Sequence, residues 1–320
     1  MISVVIPVYN TKTDLMQQCV DSVVCCSDIE LIIVNDGSTD MGVVQMCESY
    51  AMQYDNIQYV SQANSGLSVT RNNGIAKARG EYIIFLDSDD WWNSGVFEKI
   101  CKVLNKWHPD VLVFQAEKVE FTTGERLPIG KVSSDFQQWS SGKEALKSLL
   151  AEDLRFEWYA WKYVFSKNLF ERTNLRFEKG LYYEDVDLIP RLLYNAEMTI
   201  CVPDVLLNYR FHNPTSILNT PNIKKSNDKL LVVNRMMDFC LKIDDTILKK
   251  QLLHNLSQLF LSAYGDYIND VPVDVTMLKR SFGITKYSEE RLGKVSRICC
   301  GLFGLQNGTK LIRKLLKNKT

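Results

Sequence analysis

Five short β-rich runs recur at nearly even intervals through the first 115 residues, and this spacing constrains the fold more than any other feature. They are Ile2 to Ile6, Glu30 to Val34, Ile57 to Val60, Tyr82 to Leu86 and Val111 to Phe114. Their starts lie about 25 to 29 residues apart, the length of a strand, a helix and two turns, so they read as βα units feeding a parallel sheet. The stretches between them agree. Thr13 to Val24 carries Leu15, Cys19 and Val23 at i, i+4 and i+8, and Gly66 to Ala78 suits a second helix. The N-terminal third is therefore predicted to be a doubly wound, mostly parallel α/β sheet.

In such sheets ligands bind beyond the carboxyl ends of the strands. The first run enters Pro7-Val8-Tyr9-Asn10, the second Asn35-Asp36-Gly37-Ser38 and the fourth Asp87-Ser88-Asp89-Asp90. These loops are expected to converge on one edge of the sheet. On a continuing strand Asp87 and Asp89 would point the same way and Ser88 the other. Two like charges about 5 Å apart repel by roughly 3 kcal/mol at an effective dielectric near 20. A divalent cation with hard-oxygen preference, Mg²⁺ or Mn²⁺, removes that conflict and completes its shell with water and substrate phosphates. The bland alternative is that these carboxylates cap a helix starting near Trp91, a role that suits Asp90. An EF-hand reading fails, because Trp92 stands where its loop needs glycine. No GxGxxG follows the first run and no GxxxxGK[ST] occurs, which disfavours dinucleotide and P-loop sites.

Lys plus Arg and Asp plus Glu are equal at 38 each, so net charge gives no argument for nucleic acid as a partner. The start MISVVIPVYN lacks a basic n-region and breaks at Pro7, and no apolar run approaches a bilayer-spanning length. Nine cysteines without metal-type spacing suit reduced, buried thiols. A cytoplasmic protein is expected.

After Phe114 the pattern changes. Val119 to Phe121 reads as β, Gly142 to Leu150 and Glu184 to Tyr194 as helices, and MTICVPDVLLNYRFH as two short strands separated at Pro203 and Asp204. From Asn222 onward the chain reads as mostly helical. The expected domains are residues 1–220, with a nucleotide-binding half to 115 and an acceptor half from 116, then a helical region over 221–320.

The segments SVVIPVYN, VNDGSTD, NSGLSVTRNNGIAKARGEYIIFLDSDDWW and YYEDVDLIPRLL resemble, in order and spacing, the family 2 glycosyltransferases of the GT-A fold. The resemblance runs to about residue 215 and implies an inverting, metal-dependent enzyme using a nucleotide diphosphate sugar, often UDP-linked. It implies that Pro7, Tyr9 and Asp36 line the nucleoside pocket, with Asp87 and Ser88 at the nucleotide. Asp89 becomes the direct Mn²⁺ or Mg²⁺ ligand, with His212 as a further ligand. Arg71 falls near the nucleotide, where its cation helps neutralise phosphate; taken alone it reads as an exposed helix arginine. Asp185 becomes the general base beside Glu184 at the acceptor, because the attacking hydroxyl must lose its proton. Taken alone, that acidic cluster reads equally as charge at a helix start. Trp158 and Trp161 are candidates to stack on an acceptor sugar, although the cluster as a whole reads as core.

A saccharide or lipid-linked saccharide acceptor in surface polysaccharide synthesis follows by the same analogy. From Arg291 to Thr320 there are eight Lys or Arg and no acidic residue, with Leu305, Leu311, Ile312, Leu315 and Leu316 forming an expected apolar stripe. That composition suits peripheral contact with an anionic membrane at its inner face, and equally a basic solvated helix. Two rival functions stand beside the main one. A sugar-phosphate nucleotidyltransferase would need a glycine-rich basic loop where the chain has PVYNTKTD. A non-catalytic nucleotide-sugar-binding module would not need the carboxylates Asp87, Asp89 and Asp185.

Overall fold

The computed structural model describes residues 1–26, 28–93, 95–129, 135–153, 157–211 and 222–317. By its internal contacts the chain divides into two compact units. The first holds Met1–Leu146 and Glu157–Ser216, and the second Lys147–Phe156 and Ile217–Thr320. The junction expected at 220 lies outside the described residues.

The first unit is built on one sheet. Its opening strands are β1 (Ile2–Val8), β2 (Ile29–Asn35), β3 (Ile57–Ser61) and β4 (Tyr82–Phe85), alternating with α1 (Thr13–Asp21), α2 (Met41–Gln53) and α3 (Leu67–Lys77). β5 (Trp91–Trp92), α4 (Val96–Trp107), β6 (Val111–Glu120), β7 (Arg126–Pro128), β8 (Gln137–Trp139) and the start of α5 (Gly142–Glu152), which belongs to this unit as far as Leu146, follow. β9 (Tyr163–Ser166), α6 (Lys167–Thr173), α7 (Glu184–Tyr194) and β10 (Thr199–Phe211) complete it. The strand order is β3-β2-β1-β4-β9-β6-β10-β5, with β7 on β6 and β8 on β10. β1 pairs in parallel with both β2 and β4, and every residue of β1 and β2 is buried. This is why those runs are continuously apolar and rich in Val and Ile. Pro7, which has no N–H, sits two residues beyond the end of the β1–β4 pairing at Val5, so no ladder bond is lost on that side. The helix expected over Gly66 to Ala78 is α3, and Leu15, Cys19 and Val23 all face the core.

Four expectations change. β9 enters antiparallel between β4 and β6, so the sheet is mixed as well as mostly parallel. β10 is one strand, not two: its pairing with β6 shifts register between Cys201 and Val205, and this irregularity absorbs Pro203. β6 runs through residue 115, so the two supposed halves share one sheet. Finally, β4 ends at Phe85 and Asp87 to Asp90 form a turn closed by the Asp90 amide donating to the Asp87 carbonyl at 3.0 Å. Strand alternation therefore does not set the directions of those side chains.

The second unit is helical: α8 (Ile223–Leu241), α9 (Thr246–Ile268), α10 (Val275–Ser281) and α11 (Arg291–Lys317). Its starts are capped as the sequence allows. Asn222 accepts from the Lys225 amide, Asp245 from Ile247 and Leu248, and Asp274 from Thr276 and Met277. Leu230, Val233, Met236, Leu256, Phe260, Tyr264 and Leu278 form its buried centre. The expected tail stripe is not one exposed face: α11 breaks at Gly304, and Ile312 is 2% exposed while Leu311, Leu315 and Leu316 remain outside. No helix among the described residues is long and apolar enough to cross a membrane.

Candidate active site

The strand order reverses direction between β1 and β4, and in an open α/β sheet this switch point is where a crevice forms beyond the carboxyl ends. The loops after β1, β2 and β4 meet there. Asn10 adopts a left-handed backbone (φ 50°), which Asn tolerates, and its Oδ1 accepts from the amides of Thr39 (2.8 Å) and Asp40 (3.1 Å). Its own amide donates to Ser38 Oγ at 3.0 Å. Thr11 Oγ1 and Ser88 Oγ lie 2.6 Å apart, joining the first loop to the fourth. Asp36 is 4% exposed. Its Oδ1 accepts from Gln62 Nε2 (2.7 Å) and the Ser65 amide (2.8 Å), and its Oδ2 from the Gly66 amide (2.9 Å). Asp36 thus braces the loop leading into α3. Gly37 passes so close to Asn64 that a Cβ would lie 2.7 Å from that amide nitrogen.

Beneath the fourth loop lies the ion cluster that organises the site. Arg71, on α3 and 3% exposed, donates from one terminal nitrogen to Asp87 Oδ1 at 2.9 Å and from the other to Glu184 Oε1 at 2.7 Å. Its guanidinium packs against the rings of Phe85 and Phe177, which also touch each other edge to face at 5.4 Å, and Nε has no hydrogen-bond partner. The reading of Arg71 as an exposed helix arginine does not fit. It is a buried cation spent on two carboxylates, one from the β4 loop and one from the start of α7. At that start Tyr183 is held left-handed (φ 62°), a conformation costing a non-glycine residue on the order of 1 kcal/mol that the surrounding bonds must sustain.

Next to Glu184, Asp185 is half-buried and accepts from the Val186 amide at 2.8 Å. Burial, then the negative charge of Glu184, push its carboxyl up to about 7, against the opposing pull of Arg71. A carboxylate of that basicity is suited to accept a proton near neutral pH.

The three acidic residues of the β4 turn have different surroundings. Asp87 gives Oδ1 to Arg71 and keeps a side chain 27% exposed. Asp89 is half-buried, and its carbonyl accepts from Arg210 Nε at 2.9 Å. Asp90 is fully buried and does not cap a helix: α4 starts at Val96, and Asp90 Oδ1 instead accepts from the Arg210 amide of β10 at 2.7 Å. Its Oδ2 has no partner, and burial, followed by Asp89 and Asp87, raises its carboxyl well above the usual range. Burial thus favours the neutral form of Asp90 over its carboxylate. Arg210 was not anticipated as a clamp. Besides holding Asp89 and Asp90, it donates to Gln18 Oε1 at 2.6 Å and stacks 4.6 Å over Trp91. The sequence held no local signal for this, since the partners are about 120 residues apart.

The remaining expected site residues are placed as follows. Tyr9 is 49% exposed beyond β1, and Pro7 is buried within that strand. Ser88 is 8% exposed. Trp158 and Trp161 are 3% and 2% exposed, and Trp161 forms a three-ring cluster with Tyr159 (4.7 Å) and Tyr209 (5.4 Å). Neither indole offers a face to a sugar, so both belong to the core. Trp92 is likewise buried against Phe97. His212 lies outside the described residues.

The family model described as glycosyl transferase family 2 matches residues 3–169. The chain is 33% identical over 224 residues to the uncharacterized glycosyltransferase EpsJ of Bacillus subtilis, a match covering 69% of this chain and 64% of that protein. It is 30% identical over 217 residues to the uncharacterized glycosyltransferase YibD of Escherichia coli, covering 66% and 62%. The matches thus span less than two thirds of these relatives' own length. Among solved structures, S. aureus TarS 1–349 in complex with UDP-GlcNAc superimposes with a TM-score of 0.74 at 19% identity, over 98% of this chain and 89% of that one, a likeness of fold. The chain belongs to glycosyl transferase family 2.

Proposed function

We propose that the protein is an inverting glycosyltransferase of hexosyl type that moves a sugar from a UDP-sugar to a saccharide or lipid-linked saccharide acceptor in surface polysaccharide synthesis. The observation that carries this reading is the Arg71 bridge, at 2.9 Å to Asp87 and 2.7 Å to Glu184. It ties the loop proposed to hold the donor to the helix start that presents Asp185. A binding module would gain nothing from such a link, whereas direct displacement requires donor and base in fixed relation. The TarS neighbour's complex with UDP-GlcNAc supports a UDP-sugar as the donor class.

In this mechanism the acceptor hydroxyl attacks the anomeric carbon from the face opposite the diphosphate. A new C–O bond forms as the bond to the diphosphate breaks, the electron pair leaves with UDP, and the hydroxyl proton passes to Asp185. In this reading Asp36 and Tyr9 contact the nucleoside, with Asp36 using lone-pair capacity beyond its three loop bonds. Arg71 acts as a positioning residue.

The donor set fits a hard divalent ion: two carboxylates, of which Asp89 would be the direct ligand and Asp87 would offer its oxygen outside the Arg71 pair, are what Mg²⁺ or Mn²⁺ takes beside phosphate oxygens. Such an ion, when bound, offsets the charge gathering on the departing diphosphate. Calorimetric titration of the full chain with UDP, with and without Mn²⁺, together with UDP release from a panel of UDP-sugars, tests the proposal. Mn²⁺-dependent binding with turnover is expected. Binding without turnover over a broad acceptor panel would favour the module, and failure of UDP to bind would remove the donor assignment.

A further inference from the structure

We infer that the second unit carries a docking surface for an anionic phospholipid membrane, formed by the turn of α11 and the cationic cavity beside it. The inference concerns that unit alone and does not depend on the transfer chemistry.

The exposed apolar residues are concentrated. Ile298, Leu302 and Phe303 are 64%, 73% and 54% exposed, and the first two are one helical turn apart. They lead into Gly304, whose φ of 73° breaks the helix. After the break the second arm folds back against the first at Gly308, where a Cβ would lie 2.6 Å from Cys300 Cα. Only glycine permits that approach, and the close crossing leaves the last turn of the first arm projecting. Leu311, Leu315 and Leu316 add exposed apolar surface on the second arm. Free-standing clusters of this kind in a protein surface mark a contact with something apolar.

The charge along α11 itself is of one sign. From Arg291 to Lys317 there are seven Lys or Arg and no acidic residue, and Arg291, Lys294, Lys310 and Lys314 are exposed. Arg313 instead faces the unit, bound to Asp270 and the Tyr267 carbonyl. Against the first arm opens a cavity of about 430 Å³ whose lining includes Lys279, Lys286 and Arg297 over a floor of Phe282, Cys300 and Leu305, with no acidic side chain. Arg297 is fixed there by donating to the Lys286 carbonyl at 3.2 Å. Three cations around an apolar floor, next to projecting Leu and Phe, match a phosphate headgroup above acyl chains. A second copy of this chain would bring like charges together, and a nucleic acid would leave the apolar residues without a partner.

The test is sedimentation of the full chain with vesicles of phosphatidylcholine alone and of phosphatidylcholine with 30% phosphatidylglycerol. Binding to the anionic vesicles that weakens with added salt, and little binding to the neutral ones, is expected. Lys279→Gln with Lys286→Gln, both at exposed lysines, should weaken it about thirtyfold. Leu302→Glu with Phe303→Glu should weaken it at least about tenfold. Both variants alter exposed side chains, and an unchanged thermal melt verifies that they fold. Equal affinity for both vesicle types, no binding to either, unchanged affinity in folded variants, or pelleting without vesicles through self-association would each overturn the proposal.

Discussion

Replacing Arg71 by methionine separates the charge of the bridge from its packing. Methionine fills much of the arginine stem and its sulfur suits the faces of Phe85 and Phe177, so the main loss is the guanidinium and its two bonds. Each charge pair, at about 4 Å between centres and an effective dielectric near 20, amounts to roughly 4 kcal/mol before the cost of burying the cation is returned. Breaking a buried pair by removing one partner costs about 3–5 kcal/mol. The Asp87 side chain is 27% exposed and the Glu184 side chain 11%, so solvent screens the first share more than the second. A deficit of about 3 kcal/mol at pH 8 is expected.

The deficit must also depend on pH in one direction. Without the cation, Glu184 and Asp185 have folded-state pKa values still higher than those already raised by burial. A carboxyl whose folded pKa exceeds its unfolded value destabilises increasingly as pH rises from the unfolded value through the folded one. The variant should therefore recover toward wild type at pH 5, to a deficit of about 1.5 kcal/mol or less. All six tryptophans lie in the sheet-bearing unit, so urea unfolding followed by tryptophan fluorescence reports on that unit. A deficit below about 1 kcal/mol at pH 8, or one that does not shrink on acidification, would refute the bridge as described.

Asp89→Ala should fold normally, because its side chain is half-buried, yet lose metal-dependent transfer by at least about a hundredfold; full activity in that variant under chelation would remove the ligand role. Trp161→Ala should cost about 3–5 kcal/mol in the same fluorescence assay, since the ring is buried against Tyr159 and Tyr209. A stable variant with only a raised acceptor KM would instead restore the sugar-stacking role.

The parallel core was legible because β1, β2 and β4 are central strands whose burial demands continuous apolar runs, and the βα interval sets their direction. β9 was not, because four residues inside an aromatic segment carry no period, and only pairing with β4 and β6 makes them a strand. Asp36, Asp87 and Asp89 could be singled out because loops at strand ends need a reason to carry carboxylates. Arg71 and Arg210 could not be given their roles. The partners of Arg71 lie 16 and 113 residues away, and nothing in the local sequence distinguishes a buried bridging arginine from an exposed one. Asp90 shows the same limit: its position suggested a cap, and its function is set by the β10 amide of Arg210.

Asp185 is the proposed acceptor of the hydroxyl proton, and the pH dependence of single-turnover transfer in wild type and Asp185→Asn is the sharpest test of that role. The wild-type rate should rise with pH through an ionisation near 7, where burial and Glu184 hold the Asp185 carboxyl, and level off above it. Asp185→Asn should be slower by about a hundredfold or more, with that ionisation gone and UDP affinity retained. Transfer at an undiminished rate in the asparagine variant, or the same ionisation persisting there, would contradict it.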